Sequence, residues 1–163
     1  VTYLFDSNTF MEAARLYYSF ELAPGFWEWL ISDAMRAQIA SIEAVRDEIG
    51  NGAGDLADWA AETAPADFWR PPTQATLDAA QKLSRWATDP DRDFKQAAVD
   101  QFLASCDYWL IAEAMASGLR VVTREVSAPG SKKSIKIPDA CMSFGVSCEQ
   151  PFAVYQRLGL RLT

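Results

Sequence analysis

Residues 3–10 read YLFDSNTF. Tyr3, Leu4 and Phe5 form a short apolar run that predicts a buried strand. Asp6 stands at its carboxyl end, where the chain turns toward a helix. Asn8 is a suitable N-cap, and Phe10, Met11, Ala13, Ala14 and Tyr17 recur behind it at helical spacing, which predicts a helix over 8–19. Open α/β sheets place their ligands at the carboxyl ends of central parallel strands, so Asp6 is a candidate site residue. Its plainer role is to cap the helix, and the octet alone leaves both open.

The rest of the chain repeats the unit. Residues 26–36 form a helix with Phe26, Trp27, Leu30, Ile31 and Met35 on or near one face. Gln38–Ile42 predicts a second strand, and Glu43–Ile49 a helix stopped by Gly50-Asn51-Gly52. Asp107 opens another helix, DYWLIAEAMAS, that Gly118 ends. Leu119–Val122 predicts a third strand, followed by Thr123-Arg124-Glu125. A short helix follows at 137–146 and another at 152–158, and 160–162 is an edge strand or tail. Between Gly50 and Ser105, Pro65, Pro71, Pro72 and Asp89-Pro90-Asp91 separate stretches of helical periodicity, so 53–105 reads as a helical insertion without catalytic pattern. Strands alternating with helices predict a parallel α/β sheet in a single domain over 1–163.

Composition narrows the chemistry. The 163 residues include no histidine, which excludes Ser-His-Asp and Cys-His catalysis and any His-ligated metal. Cys106, Cys141 and Cys148 lack metal-ligand spacing and read as reduced thiols, the expectation for a cytoplasmic protein. No signal peptide or membrane-spanning run is visible. The net charge of −7 argues against a basic nucleic-acid coat. Locally the balance inverts: between Arg120 and Lys136 five basic residues stand against one acid, Glu125.

If the strands are parallel neighbours, Asp6, Glu48, Asp107 and Glu125 converge on one edge of the sheet. Two carboxylates about 5 Å apart repel by roughly 3 kcal/mol at an effective dielectric near 20. Four together require protons or cations. Oxygen-only ligation points to Mg²⁺ or Mn²⁺ rather than Zn²⁺, and such ions beside a phosphate are the equipment of phosphodiester cleavage.

In order, YLFDSN, the Glu of VRDEI, the Asp of DYWLIAEA and VVTRE resemble the acidic motifs of PIN-domain ribonucleases, and most of all the VapC-like toxins of toxin–antitoxin pairs. The resemblance runs from residue 3 to about residue 125. The segment KIPDACMSFGV is similar to a PIN-like subgroup with a helical insert. The resemblance implies a three-layer fold with a short parallel central sheet flanked by helices. It implies a Mg- or Mn-dependent endoribonuclease acting on single-stranded RNA, with a protein antitoxin as partner. Asp6, Glu48, Asp107 and Glu125 would be the metal ligands, and Asn8 and Thr123 would orient them. The fourth position is usually Asp, so either Glu125 reaches inward or Asp139 takes its place. Glu43, Asp47 and Glu113 read as solvated acids.

Arg124, Lys132, Lys133 and Lys136 form the candidate RNA-binding rim, with a solvated loop as the alternative. Tyr17, Tyr18 and Trp69 are candidates to stack bases, core packing being the commoner role. Dimerisation is common in the family resembled, and the Trp27–Trp29 helix offers a candidate surface. A PIN-fold binding module with weakened catalysis, and a metal-dependent phosphatase or nuclease acting on DNA, are the other functions these residues could serve.

Overall fold

A computed structural model describes residues 1–163. The central element is β1 (Tyr3–Phe5), all three residues of which are buried. The chain enters α1 (Ser7–Glu12), which continues as a π-helical turn over Ala13–Tyr17. Next come α2 (Pro24–Leu30), α3 (Asp33–Arg36), β2 (Ile39–Ile42) and α4 (Glu43–Gly50). The middle of the chain holds α5 (Asp55–Asp58), with a further π-helical turn, then β3 (Trp69–Arg70), α6 (Gln74–Thr88) and α7 (Gln96–Leu103). The last part comprises α8 (Cys106–Ser117), β4 (Arg120–Val122), α9 (Ile137–Ser143), β5 (Cys148–Glu149) and α10 (Pro151–Arg157).

All five strands are parallel, in the order β3-β2-β1-β4-β5. Helices flank the sheet, an architecture consistent with a three-layer PIN-like fold. The register sets Phe5 opposite Val122 on one side of β1 and Leu4 opposite Ala40 on the other. The connection that follows β1 runs to β2 on one side, and the connection that follows its neighbour β4 runs to β5 on the other. The crevice beyond the carboxyl ends of β1 and β4 is therefore the topological switch point.

Several elements differ from the sequence expectation. The first helix starts at Ser7, because Asp6 rather than Asn8 supplies the cap. The helix expected over 26–36 is two helices broken around Ser32, whose hydroxyl donates to the Trp29 carbonyl at 2.7 Å. The region 53–105 is not purely an insertion. It contributes β3, whose Trp69 and Arg70 pair with Ser41 and Ile42 and form one edge of the sheet. β5 forms the other edge, and residues 160–162 are irregular rather than a strand. Two-residue strands carry no alternation to detect, so they are invisible to periodicity.

The aromatic residues explain how such short strands hold together. Phe10 packs against Phe5, Trp59, Phe68 and Trp69, and Phe26 stacks on Tyr18 at 4.5 Å. Phe26, Trp27 and Leu30 are buried, as their spacing predicts. Trp69 is buried as well, so it belongs to the core and not to a base-stacking surface. Burial of each such ring stabilises the fold by roughly 2–3 kcal/mol relative to exposure. No helix is long and apolar enough to cross a membrane.

Candidate active site

Asp6 is the residue that follows β1, and Thr123 the residue that follows β4. Their strands are hydrogen-bonded neighbours, and the Asp6 amide donates to the Val122 carbonyl at 3.2 Å. Asp6 is fully buried. Its Oδ2 accepts from the Thr123 hydroxyl at 2.6 Å, and its Oδ1 accepts from the Thr9 amide at 2.7 Å and from the Thr9 hydroxyl. It caps α1, the plainer of the two roles read from the octet, from a buried position at the carboxyl end of β1. Burial pushes its carboxyl up to about 6, against the hydrogen bonds of Thr123 and Thr9, and the Glu125 charge adds to the rise. Asn8 does not orient the carboxylates: it is exposed, and Thr9, one residue on, does that work.

Asp107 lies in the first turn of α8. Burial, then the charges of Glu125, Asp6 and Glu48, push it up to about 7. The basic group that opposes this rise is Lys136. Asp107 is thus the residue on which the charges of the other three acids act. Glu125 is held on two sides: its amide donates to the Thr123 hydroxyl at 3.1 Å, and its Oε2 accepts from the Ile137 amide at 2.7 Å. Glu48, near the end of α4, accepts from the Cys106 thiol at 2.8 Å.

None of these four acids forms an ion pair. Acids elsewhere do: Glu12 with Arg124, Glu113 with Arg70, Glu149 with Arg120 and Arg157. What sets Asp6 and Asp107 apart from the unpaired acids on the surface is that burial pushes both up. Asp139 belongs to a different structure. It accepts from the Ser127 hydroxyl and, at 2.8 Å, from the Ala128 amide, which ties the loop after β4 to α9. Glu125, rather than Asp139, is the fourth acid coupled to Asp107. No three of the chain's Asp, Glu and Cys side chains stand close enough together to grip a metal ion. The donor set therefore suits a hard cation by chemistry and charge, but its oxygens are spread wider than a coordination sphere.

The basic residues after β4 divide. Arg124 is committed inward: it pairs with Glu12 at 2.9 Å, donates to the Tyr17 hydroxyl at 2.7 Å, and lies over the Tyr17 and Phe152 rings. Lys132 donates to the Arg92 carbonyl at 2.7 Å and sits near the Phe94 ring. Lys133 is exposed and makes no ion pair, and Lys136 precedes α9 on the side of Asp107.

Sequence reasoning missed Thr9, Cys106 and Glu113. The Asp6-x-x-Thr9 spacing is an N-cap followed by its N3 residue, which could have marked Thr9. Glu113 is buried rather than solvated: it accepts from Thr76 at 2.8 Å, from Ser117 and from Arg70 at 3.3 Å. Its signal was that α8 is apolar on nearly every side, so a carboxylate in it had to be paired. Cys106 left no signal, because its role depends on α4.

A family model described as Domain of unknown function (DUF4411) matches residues 3–162. Searches of curated proteins and of solved structures returned no match. Spanning all but the first two residues and the last, that match shows the chain to be a member of the DUF4411 family.

Proposed function

We propose that this protein is a metal-dependent endoribonuclease of the PIN-like type, cutting single-stranded RNA with Asp6, Glu48, Asp107 and Glu125, and that it is the toxin of a toxin–antitoxin pair. The observation that carries the reading is Asp107 in the first turn of α8, pushed up to about 7 by burial and by the charges of Glu125, Asp6 and Glu48, with Asp6 pushed up to about 6 and none of the four paired with Arg or Lys. Carboxylates left in this state gain stability from any bound divalent cation. A bound magnesium- or manganese-class ion would supply Lewis-acid polarisation of the phosphodiester and a more acidic water.

The chain's own residues divide the remaining work. Thr9 and Thr123 lock both oxygens of Asp6, so this ligand is presented in one orientation. Asp107 and Asp6 hold protons near neutrality and must release them to a cation, so metal affinity rises with pH. Glu125 lies two residues beyond Thr123 and is tied to it by the bond from its amide to the Thr123 hydroxyl. Lys133 and Lys136 are the cations available to steer a phosphate chain toward the acids.

The wide separation of the carboxylates favours a second reading, a PIN-fold binding module whose catalysis is weak. Incubating pure protein and Mn²⁺ with labelled single-stranded RNA separates the two. The nuclease reading expects cleavage that EDTA stops and that Asp6→Asn abolishes. Uncut RNA at saturating Mn²⁺, or cutting that survives Asp6→Asn, overturns it. A matched single-stranded DNA reports whether the substrate is RNA.

A further inference from the structure

The loop after β4 is joined to the turn before α7. The Lys95 amide donates to the Lys132 carbonyl at 2.8 Å, and Lys132 Nζ donates to the Arg92 carbonyl at 2.7 Å. Beside this junction, against α9, lies a cleft of about 160 Å³ whose lining includes Trp86, Arg92, Phe94, Lys132, Lys136 and Asp139. Its charge opposes that of the chain. The protein carries a net −7, yet the cleft sets three cations against one acid. That acid, Asp139, has both oxygens engaged by the Ser127 hydroxyl and the Ala128 amide. Asp89, Asp91 and Asp93 flank Arg92 in sequence, and none of them lines the cleft. Arg92, Lys132 and Lys136 form no ion pair. Aromatic rings take the place of carboxylates: Arg92 Cζ lies 5.4 Å from the Trp86 ring centre, and Lys132 Nζ 5.6 Å from that of Phe94. A ring holds a cation without neutralising it, so the charge stays available to an anion. Lys132 and Lys136 are half-buried, where an unpaired ammonium gains most from one.

Size and place narrow the ligand. Sites that enclose a whole small molecule run to roughly 300–1,000 Å³, so this cleft suits one unit of a longer chain. Lys136 directly precedes Ile137, whose amide donates to Glu125 Oε2 at 2.7 Å, so the cleft adjoins the acids. We propose that it is a subsite for one nucleotide of single-stranded RNA beside the acidic crevice. Arg92, Lys132 and Lys136 take the phosphate, and the guanidinium plane of Arg92, backed by Trp86, lies under the base. The identity of that chain rests on the RNA reading of the crevice, but the cleft itself needs no bound cation. Residues 86–94, in the stretch without catalytic pattern, thereby gain a part in binding.

The test is the anisotropy of a short labelled single-stranded RNA titrated with protein in EDTA at several salt concentrations. Arg92→Ala and Lys136→Ala should each flatten the slope of log affinity against log salt by about 0.7, one phosphate contact apiece. Arg92→Lys should keep the slope and still bind about fivefold more weakly, because it keeps the charge and loses the plane. Lys82→Ala, at an exposed lysine of α6 outside the cleft, should match wild type. Wild-type slopes in both Arg92→Ala and Lys136→Ala overturn the subsite. So does polyphosphate that displaces the RNA as readily, per charge, as unlabelled RNA does, since the cleft is then a plain anion site. Metal is absent throughout, so the two readings fail separately. RNA bound through Arg92 and Lys136 but left uncut with Mn²⁺ upholds the subsite and overturns the nuclease. RNA cut by a protein whose Arg92→Ala and Lys136→Ala variants bind like wild type overturns the subsite alone, and a wild type that binds no RNA overturns both. Should Arg92→Ala melt early, Arg92→Lys and Lys136→Ala decide.

Discussion

The Thr123 hydroxyl donates to Asp6 Oδ2 at 2.6 Å, although 117 residues separate them. The bond closes the crevice at its base and joins the first strand to the fourth. It also ties the pose of Asp6 to that of Glu125, whose amide donates to the same hydroxyl.

Removing it has a pH-dependent cost. A hydrogen bond to a charged group contributes roughly 1.5–3 kcal/mol. This one favours the ionised form of Asp6, so its loss is felt most where Asp6 is charged. Thr123→Val is expected to lose about 2 kcal/mol of unfolding free energy at pH 8 and much less at pH 5. Urea unfolding at the two pH values checks this, and an equal loss at both would contradict it.

The acids themselves predict how stability depends on pH. Asp6 and Asp107 have folded-state values of about 6 and about 7, both above the ordinary value of 3.8. The folded protein therefore binds more protons than the unfolded chain between about pH 4 and pH 7, and these two groups favour folding as pH falls through that window. From pH 8 to pH 5.5 the metal-free protein should gain roughly 3 kcal/mol from them. Saturating Mn²⁺ should abolish most of the gain, because it stabilises the ionised forms. Chemical denaturation across this range, with and without Mn²⁺, gives the answer. A metal-free protein that is most stable at pH 8 would remove the case for crowded, uncompensated carboxylates.

Arg124 and Lys133 are expected to behave differently, although both belong to the basic stretch after β4. Arg124 is clamped by Glu12, Tyr17 and Phe152, so it anchors the turn that carries Thr123 and Glu125. Lys133 is free. Lys133→Ala should flatten the dependence of log RNA affinity on log salt by about 0.7, the value for one phosphate contact on a single strand. Arg124→Ala should leave that slope unchanged and lower kcat and thermal stability instead. A flattened slope in Arg124→Ala would return it to the RNA-contacting set.

Glu113 ties α8 to α6 through Thr76 and to β3 through Arg70. Substitution to alanine leaves Arg70 partly buried without its carboxylate and opens a gap beside Trp109 in a cavity of about 220 Å³. Glu113→Ala is expected to cost about 3 kcal/mol, read by urea unfolding, while the folded fraction keeps wild-type Mn²⁺ affinity. Loss of Mn²⁺ affinity without loss of stability would place Glu113 in the acidic site instead.

The alternation of YLF, QIASI and LRVV with helical stretches was enough to set the parallel class, because apolar periodicity is local. Asp6, Asp107 and Glu125 could be singled out for the same reason: each lies at a strand end or helix start that the pattern itself marks. Tertiary structure alone decided the rest. It chose Thr9 over Asn8, since one residue along a helix changes the direction of a side chain by about 100°. It drew β3 and β5 into the sheet from two-residue segments that have no period. It bound Asp139 to the loop after β4 and Arg124 to Glu12, and brought Cys106 to Glu48, because such pairings depend on how separate elements pack. Local periodicity is written along the chain, whereas the meeting of side chains from different elements exists only after the core has closed around them.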